Sequence, residues 1–134
     1  MHTELKILLI YCLLVTFMLV LQSILSVQQH GVKKLAGSRD GIEYSGMAER
    51  AIRALNNTVT SLLLIIPPVF SLVLISVSTP ETVSVLVVFV ITRVLYFFSY
   101  LLGIPWVRSC LWWVGLLCTV YLYLICLGQF ETPG

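Results

Sequence analysis

The sequence predicts an all-α membrane protein, built as a bundle of four transmembrane helices. Of its 134 residues, 59% are apolar and only 10% are charged, whereas soluble domains have about 45–50% and about 25% of these classes. The mean hydropathy is +1.02, and long intervals of the chain carry no charge. A chain of this composition has to expose its excess apolar residues to lipid, which excludes a soluble enzyme, a disordered chain and a disulfide-rich secreted domain.

Uncharged intervals divide the chain into four segments, each able to cross about 30 Å of hydrocarbon with roughly 20 helical residues. Helices are predicted because an open strand edge leaves unpaired backbone groups in lipid. We therefore expect one domain, residues 1–134, with spans near residues 7–27, 50–78, 82–102 and 107–129. A cleaved signal peptide is the alternative for the first span, although its apolar stretch exceeds about 15 residues and no small-residue cleavage site follows it.

The predicted orientation rests on the loop at residues 28–49 and the start of the second span. Five bases cluster there: Lys33, Lys34, Arg39, Arg50 and Arg53. The next connection, at residues 78–81, has no base. The positive-inside rule places the first loop in the cytoplasm and both termini on the opposite side, with Trp112 and Trp113 as interfacial anchors.

Two adjacent prolines, Pro67 and Pro68, fall in the middle of the second span. Their missing N–H groups and ring clashes are expected to bend or interrupt the helix. A kink that neighbouring helices tolerate is the simplest interpretation.

Metal and nucleic-acid sites are not predicted. The four cysteines lie inside apolar runs without a C-x-x-C pair, which indicates buried thiols rather than metal ligands. A net charge of +2 with dispersed bases is too small for a nucleic-acid footprint.

Arg93 is the most informative residue, because it lies about 13 Å inside the cytoplasmic end of the third span. An arginine at such depth costs about 2.5–3.5 kcal/mol on insertion scales. None of the six acids falls within a predicted span. Neutral acceptors, water, a lipid phosphate or an anionic ligand remain as its partners, and a purely structural role is the alternative. The absence of an acid also disfavours a proton-coupled exporter.

Two polar helix faces lie at matching depths. The third span carries Arg93, Tyr96 and Tyr100 at spacing i, i+3, i+7, and the second carries Arg53, Asn57 and Thr60, with Asn56 adjacent. Asn57 and Thr60 lie about 10 and about 15 Å inside Arg50, which brackets the depth of Arg93. A polar cavity open to the cytoplasmic leaflet is predicted, and helix-to-helix hydrogen bonding is the alternative.

Arg108 and Ser109 follow a Gly103–Pro105 turn, which ends one helix before the next begins. Arg108 is therefore expected at a helix N-terminus, where free N–H groups, the helix dipole and the guanidinium act together on an anion. An arginine that only obeys the topology rule is the alternative.

These blocks resemble the MAPEG family, the membrane-associated proteins in eicosanoid and glutathione metabolism. They are the R-A-x-x-N block that begins at Arg53, and the R-x6-Y-x7-R block of Arg93, Tyr100 and Arg108 with its G-I-P turn. The resemblance covers nearly the whole chain and is closest to bacterial-type members. It implies a homotrimer of four-helix bundles in a bacterial inner membrane, with glutathione held between neighbouring subunits near the cytoplasmic face.

The resemblance also implies roles for individual residues. Arg53, Asn57, Thr60, Arg93, Tyr96 and Tyr100 would bind glutathione, while Arg108 and Ser109 would act on its sulfur. Two positions depart from the family pattern: Thr60 stands where the motif usually has Glu, and Asn56 stands where several members have a base. The missing carboxylate removes an acceptor for the ligand's amino group and a partner for Arg93.

The function implied is a glutathione-dependent transferase or peroxidase that takes lipophilic electrophiles or hydroperoxides from the bilayer. Glutathione would serve as co-substrate, no metal would be needed, and the partners would be lipid and two further copies of the chain. The alternative is a non-catalytic trimer of the same fold, with lipid or another anion in the cavity between subunits.

The predicted topology is tested by cysteine labelling at Ser38→Cys and Ser78→Cys with a membrane-impermeant thiol reagent. Because the bases cluster only in the first loop, we expect Ser38→Cys to react from the cytoplasmic side and Ser78→Cys from the other. Labelling of both positions from the same side would contradict the topology.

Overall fold

The computed structural model describes residues 3–31 and 46–131. Within these ranges the chain forms four helices: α1 (Thr3–His30), α2 (Gly46–Leu74), α3 (Pro80–Leu102) and α4 (Pro105–Glu131). All four are long and apolar enough to cross a membrane. The predicted fold class, an all-α bundle of four transmembrane helices, is therefore confirmed.

The helices extend beyond the predicted spans where acidic residues occupy a first turn. Glu4 lies in the first turn of α1 and Glu49 in that of α2, where a negative charge is favoured by the helix dipole. The expectation that every acid lies outside a span is therefore wrong for Glu4, Glu49 and Glu81, each of which lies in the first turn of a membrane-capable helix. Most of the 28–49 loop, with Lys33, Lys34, Arg39 and the labelling position Ser38, lies outside the described residues.

Helices α2 and α3 form the centre of the described bundle, because each contacts the other three. Helices α1 and α4 lie on opposite sides and do not contact each other within the described ranges. The interior is apolar, and at its centre the ring of Tyr11 meets that of Phe89 edge-on at 5.3 Å. Large apolar side chains such as Leu13, Leu63 and Leu117 cover the outside, as a lipid-facing surface requires.

Glu4 joins α1 to the connection between α2 and α3. The residue is 1% exposed, and its carboxylate accepts hydrogen bonds from Ser78 Oγ at 2.8 Å and Thr82 Oγ1 at 2.9 Å. Thr79 and Thr82 form a capping box at the start of α3, which satisfies N–H groups that have no helical partner. The acid therefore lies beside the positive end of the α3 dipole.

The connection between α3 and α4 places the start of α4 directly after the end of α3. Gly103 adopts a left-handed conformation with φ 73°, and its N–H donates to the carbonyls of the last turn of α3. Arg50 Nε, from α2, donates to the carbonyl oxygen of Leu101 at 2.9 Å. Pro105 then begins α4, a position that suits a residue with fixed φ and no N–H.

The two prolines do not interrupt α2, which is continuous over Gly46–Leu74. Pro68 has no N–H to donate to the carbonyl four residues earlier, that of Leu64. The Tyr123 hydroxyl of α4 donates to that oxygen at 2.6 Å. A side chain of a neighbouring helix therefore replaces the lost backbone hydrogen bond, as a membrane-spanning helix needs.

Removing the Tyr123 hydroxyl should destabilise the bundle. Tyr123→Phe leaves the Leu64 carbonyl without its donor, and we expect a loss of about 1 kcal/mol in unfolding free energy, measured in detergent. Tyr121→Phe is the matched control, because that hydroxyl reaches only the exposed Glu81 carboxylate at 3.5 Å.

The same interpretation predicts coupling between the tyrosine and the proline. Pro68→Ala restores an N–H for the Leu64 carbonyl, so Tyr123→Phe should cost less in that background than in the wild type. An equal cost in both backgrounds would show that the hydroxyl does not replace the missing backbone donor.

Candidate functional site

Two adjoining cavities lie between α2, α3 and α4. The one nearer the α3–α4 turn, here the outer cavity, has a volume of about 300 Å³. Its lining residues are Asn57, Tyr96, Arg108, Ser109, Trp112 and Trp113. The first four are among the site residues predicted from the sequence, and the fold brings them together at one opening.

The second, here the inner cavity, has a volume of about 130 Å³ and shares Asn57 and Trp112 with the outer one. Its polar lining consists of Asn57, Thr60, Ser61, Arg93 and Thr119, and the remaining walls are Leu64, Phe89, Trp112, Gly115 and Leu116. Of the predicted site residues, Thr60 and Arg93 lie here rather than at the outer cavity. The polar space therefore continues from the turn into the bundle.

Arginines and tyrosines alternate along the α3 side of these cavities. The Arg93 guanidinium carbon lies 4.3 Å from the centroid of the Tyr96 ring, and that of Arg108 lies 4.6 Å from the Tyr100 centroid. The two tyrosine rings meet edge-on at 5.8 Å. Tyr100 thus contacts Arg108 and Tyr96, and its ring holds the Arg108 guanidinium by a cation–π interaction.

Arg93 is buried with only neutral hydrogen-bond partners among the described residues. The residue is 2% exposed, and its Nη2 donates to Asn57 Oδ1 at 2.8 Å and to Thr58 Oγ1 at 3.4 Å. Its Nε has no hydrogen-bond partner in the described part of the chain. Neutral acceptors, one of the kinds of partner predicted for Arg93, therefore satisfy its Nη2 but not its Nε.

Arg53 lies apart from the other predicted site residues. Its side chain is 64% exposed and pairs with Glu49 one turn earlier, at 2.6 Å, and it lines neither cavity. Asn56 and Thr60 are also exposed in the single chain, and the Thr60 hydroxyl donates to the Asn56 carbonyl at 3.0 Å. The predicted polar face of α2 is therefore divided, with Asn57 turned inward and Arg53 outward.

Sequence reasoning missed several lining residues of α4. Trp112 was interpreted as an interfacial anchor, while Gly115 and Thr119 were not considered, yet all three line the inner cavity. They follow Ser109 at helical spacing, since positions 109, 112, 115, 116 and 119 lie on one face of a helix. That periodicity was the available signal, but in an apolar span it is equally typical of core packing.

Thr58 and Tyr11 were missed for a different reason. Both are fully buried, and each acts through a contact between helices: Thr58 accepts from Arg93, and the Tyr11 hydroxyl is 2.9 Å from Ser61 Oγ. A threonine next to Asn57 and a tyrosine in the first span carry no local signature of a polar site. Only the packing of α1, α2 and α3 brings them near Arg93.

The charge distribution of the outer cavity suits an anion. Arg108 lies in the first turn of α4, where the helix dipole adds to its positive charge, and the Ser109 hydroxyl is adjacent. No Asp or Glu is among the described residues that line either cavity. Within the described ranges no cluster of His, Cys, Asp or Glu is arranged to hold a metal ion.

Comparisons with known proteins identify the family. The model of the MAPEG family matches residues 8–128, a range that includes both cavities and nearly all of the four helices. No curated protein matches the chain. No solved structure matches it either. Because the family match extends over most of the sequence, the chain belongs to the MAPEG family of membrane proteins associated with glutathione and eicosanoid metabolism.

Proposed function

We propose that this protein is a glutathione-dependent transferase or peroxidase that acts on lipophilic electrophiles or hydroperoxides. The observation that carries the proposal is the outer cavity, where Arg108 and Ser109 at the start of α4 face the same space as Asn57 and Tyr96. Family membership supports glutathione as the co-substrate. Metal ions have no part in the mechanism that we propose.

Arg108 would stabilise the glutathione thiolate. A free thiol has a pKa near about 8.5 and is mostly protonated at neutral pH, and an adjacent guanidinium or helix N-terminus favours its ionised form. Arg108 supplies both effects, and its position is held by the Tyr100 ring at 4.6 Å. Ser109 would donate a hydrogen bond to the same sulfur.

The remaining polar residues would hold the tripeptide. Glutathione carries two carboxylates and one ammonium, and its net negative charge suits a site with arginines and no lining acid. Asn57 is available at the outer cavity, and Arg53 is exposed enough to exchange Glu49 for a ligand carboxylate. Tyr96 would contact the ligand from the wall of the outer cavity. Arg93 and Tyr100 would act from behind, because Arg93 orients the Asn57 amide and Tyr100 orients Arg108.

A homotrimer would complete the site. Asn56 and Thr60 are exposed on α2 of the single chain, at a level where contact with lipid is costly for polar groups. A neighbouring copy would cover this face and bring further residues to Arg53. The lipophilic substrate would then arrive laterally from the bilayer, past Trp112 and Trp113.

The proposed location is a bacterial inner membrane, with the 28–49 loop and the outer cavity on the cytoplasmic side. Arg50 and Arg53 begin α2, and Arg108 begins α4. These ends lie together, because Arg50 contacts the carbonyl of Leu101 at the end of α3. Glutathione would therefore reach the site from the cytoplasm.

A non-catalytic trimer remains the second candidate. The observation that favours it is Thr60, since no lining acid among the described residues is available to accept the glutathione ammonium. In that case the cavity between subunits would hold lipid or another anion. Calorimetry that finds no glutathione binding to the wild type at millimolar concentration would favour this candidate over the enzyme.

The protein is predicted to form a homotrimer. Native mass spectrometry in mild detergent should give a complex of three times the 15.0 kDa chain mass, because the polar face of α2 needs a protein neighbour. A monomer or dimer with the helices intact would contradict the trimer.

Thiolate formation is predicted to depend on Arg108. Arg108→Ala should lower the ultraviolet thiolate absorbance of bound glutathione near neutral pH, because the guanidinium stabilises the ionised sulfur more than the thiol. Binding of S-methylglutathione, which has no ionisable sulfur, should change much less.

Arg53→Gln is the matched control for this measurement. It removes an arginine that would hold a carboxylate, so it should weaken glutathione and S-methylglutathione to a similar extent. Equal thiolate absorbance per bound ligand in wild type and Arg108→Ala would refute the proposed role of Arg108.

A further inference from the structure

We propose that Arg50 is a positioning residue for the thiol chemistry at the outer cavity. Through its hydrogen bond to the last turn of α3 it holds Tyr100, and with it Arg108, in place. Arg50 lines neither cavity and is not among the site residues predicted from the sequence. Its effect on the thiolate rests on the proposed function, whereas the contacts that hold Arg108 exist without glutathione.

The carbonyl of Leu101, at the end of α3, needs a donor from outside its own helix. In a continuous helix the donor is the N–H of the fourth residue along, which here is Pro105 and has none. The N–H groups of Gly103 and Ile104 donate to earlier carbonyls of the same turn. Leu101 is only 5% exposed, so an unpaired carbonyl there would be costly. Arg50 Nε supplies the missing hydrogen bond at 2.9 Å.

The side chain of Arg50 fits this turn in shape and in charge. A Cβ added at Gly103 would lie 3.8 Å from Arg50 Nε and 3.9 Å from its Cζ, so the guanidinium lies along the backbone of the turn. Helix α3 has no base in its own last turn, and a cation at that end is favoured by the helix dipole. Within the described ranges no carboxylate pairs with Arg50, and the adjacent Glu49 pairs with Arg53 instead.

The turn that Arg50 holds also carries the support of Arg108. Tyr100 directly precedes Leu101, and its ring centroid lies 4.6 Å from the Arg108 guanidinium carbon. No ion pair fixes Arg108 in the described part of the chain. Helix α4 starts immediately after the turn, so a movement of the Leu101 carbonyl shifts both the Tyr100 ring and the backbone that carries Arg108.

The placement of Arg108 matters because its proposed effect is electrostatic. The interaction between a guanidinium and a thiolate weakens as their separation grows, and misplacement by about 1 Å can cost about 100-fold in rate. Contacts with the carboxylates of the tripeptide do not depend on this geometry. Loss of the Arg50 hydrogen bond should therefore impair ionisation of the sulfur much more than binding of the tripeptide.

Two substitutions of Arg50 separate its hydrogen bond from the rest of the side chain. Arg50→Gln places an amide N–H at the position of the arginine Nε and keeps a donor for Leu101, whereas Arg50→Met has a similar length and no donor. In protein without glutathione, nitrogen-15 NMR of the arginine side chains should show the Arg108 Nε–H proton shifted by the Tyr100 ring current in the wild type and in Arg50→Gln. In Arg50→Met this shift should be lost. Arg108→Lys identifies the resonance.

The same variants are then compared in the ionisation of bound glutathione. In Arg50→Met the pH midpoint of thiolate absorbance should rise by about one unit, a tenfold change in the ionisation equilibrium, and in Arg50→Gln it should stay within about 0.3 unit of the wild type. The affinity for S-methylglutathione should change less than about threefold in both. Ser78→Ala is the structural control, because it removes a hydrogen bond to the buried Glu4 at the opposite end of the bundle. It should lower stability without moving this midpoint.

Three results would overturn the proposal. The first is an Arg108 resonance that keeps its shift in folded Arg50→Met. The second is an equal loss in Arg50→Met and Arg50→Gln, which would assign the effect to charge rather than to the hydrogen bond with Leu101. The third is a lost shift with an unchanged midpoint for the bound thiol.

Hydrogen exchange in the wild type tests the same contact if Arg50→Met does not fold. The Nε–H of Arg50 should exchange with water at least about tenfold more slowly than that of the exposed Arg53, because a bonded donor is protected. Equal rates would contradict the positioning role. If the wild type binds no glutathione, the proposed enzyme function fails, whereas the Arg108 resonance still decides whether Arg50 positions it.

Discussion

A positive charge held inside a membrane bundle is the constraint on which the rest of the site depends. Arg93 is buried among three helices and is partnered by Asn57, Thr58 and the ring of Tyr96. Each partner is polar or aromatic and neutral, so helices α2 and α3 have to pack with these residues facing each other. The inner cavity borders this point and is lined by Arg93, Asn57, Thr60 and Gly115.

The same need to give every buried polar group a hydrogen-bond partner governs the helix ends and the proline pair. In lipid, a backbone group that loses its helical partner has no water to replace it. Tyr123 serves the Leu64 carbonyl that Pro68 leaves free, and Arg50 serves the Leu101 carbonyl at the end of α3. Glu4 accepts from two hydroxyls at the opposite end. Side chains of one helix thus supply hydrogen bonds that another helix lacks, and these bonds fix how the four helices align.

The alignment places two chemically different spaces in series. The outer cavity carries Arg108 and Ser109 at a helix start, an arrangement suited to a thiolate that must react and leave. The inner cavity is lined by the buried Arg93, whose guanidinium donates to Asn57 and Thr58. Asn57 and Trp112 line both cavities. By orienting the Asn57 amide, Arg93 therefore also affects the proposed glutathione site.

The sequence alone determined the fold class, the number of spans and the family, because uncharged intervals of sufficient length leave helices as the only spanning structure, and the motif blocks survive as local patterns. It also identified Asn57, Arg93, Tyr96 and Arg108, since a polar residue in an apolar run is conspicuous. Only the tertiary structure decided which of them come into contact. Arg53 pairs with Glu49, and Thr60 lines the inner cavity. Tyr11, Thr58 and Gly115 lie near Arg93. Helical spacing specifies the face of a residue within its own helix, whereas the rotation and depth of each helix against its neighbours follow from packing and from hydrogen bonds between residues far apart in the chain.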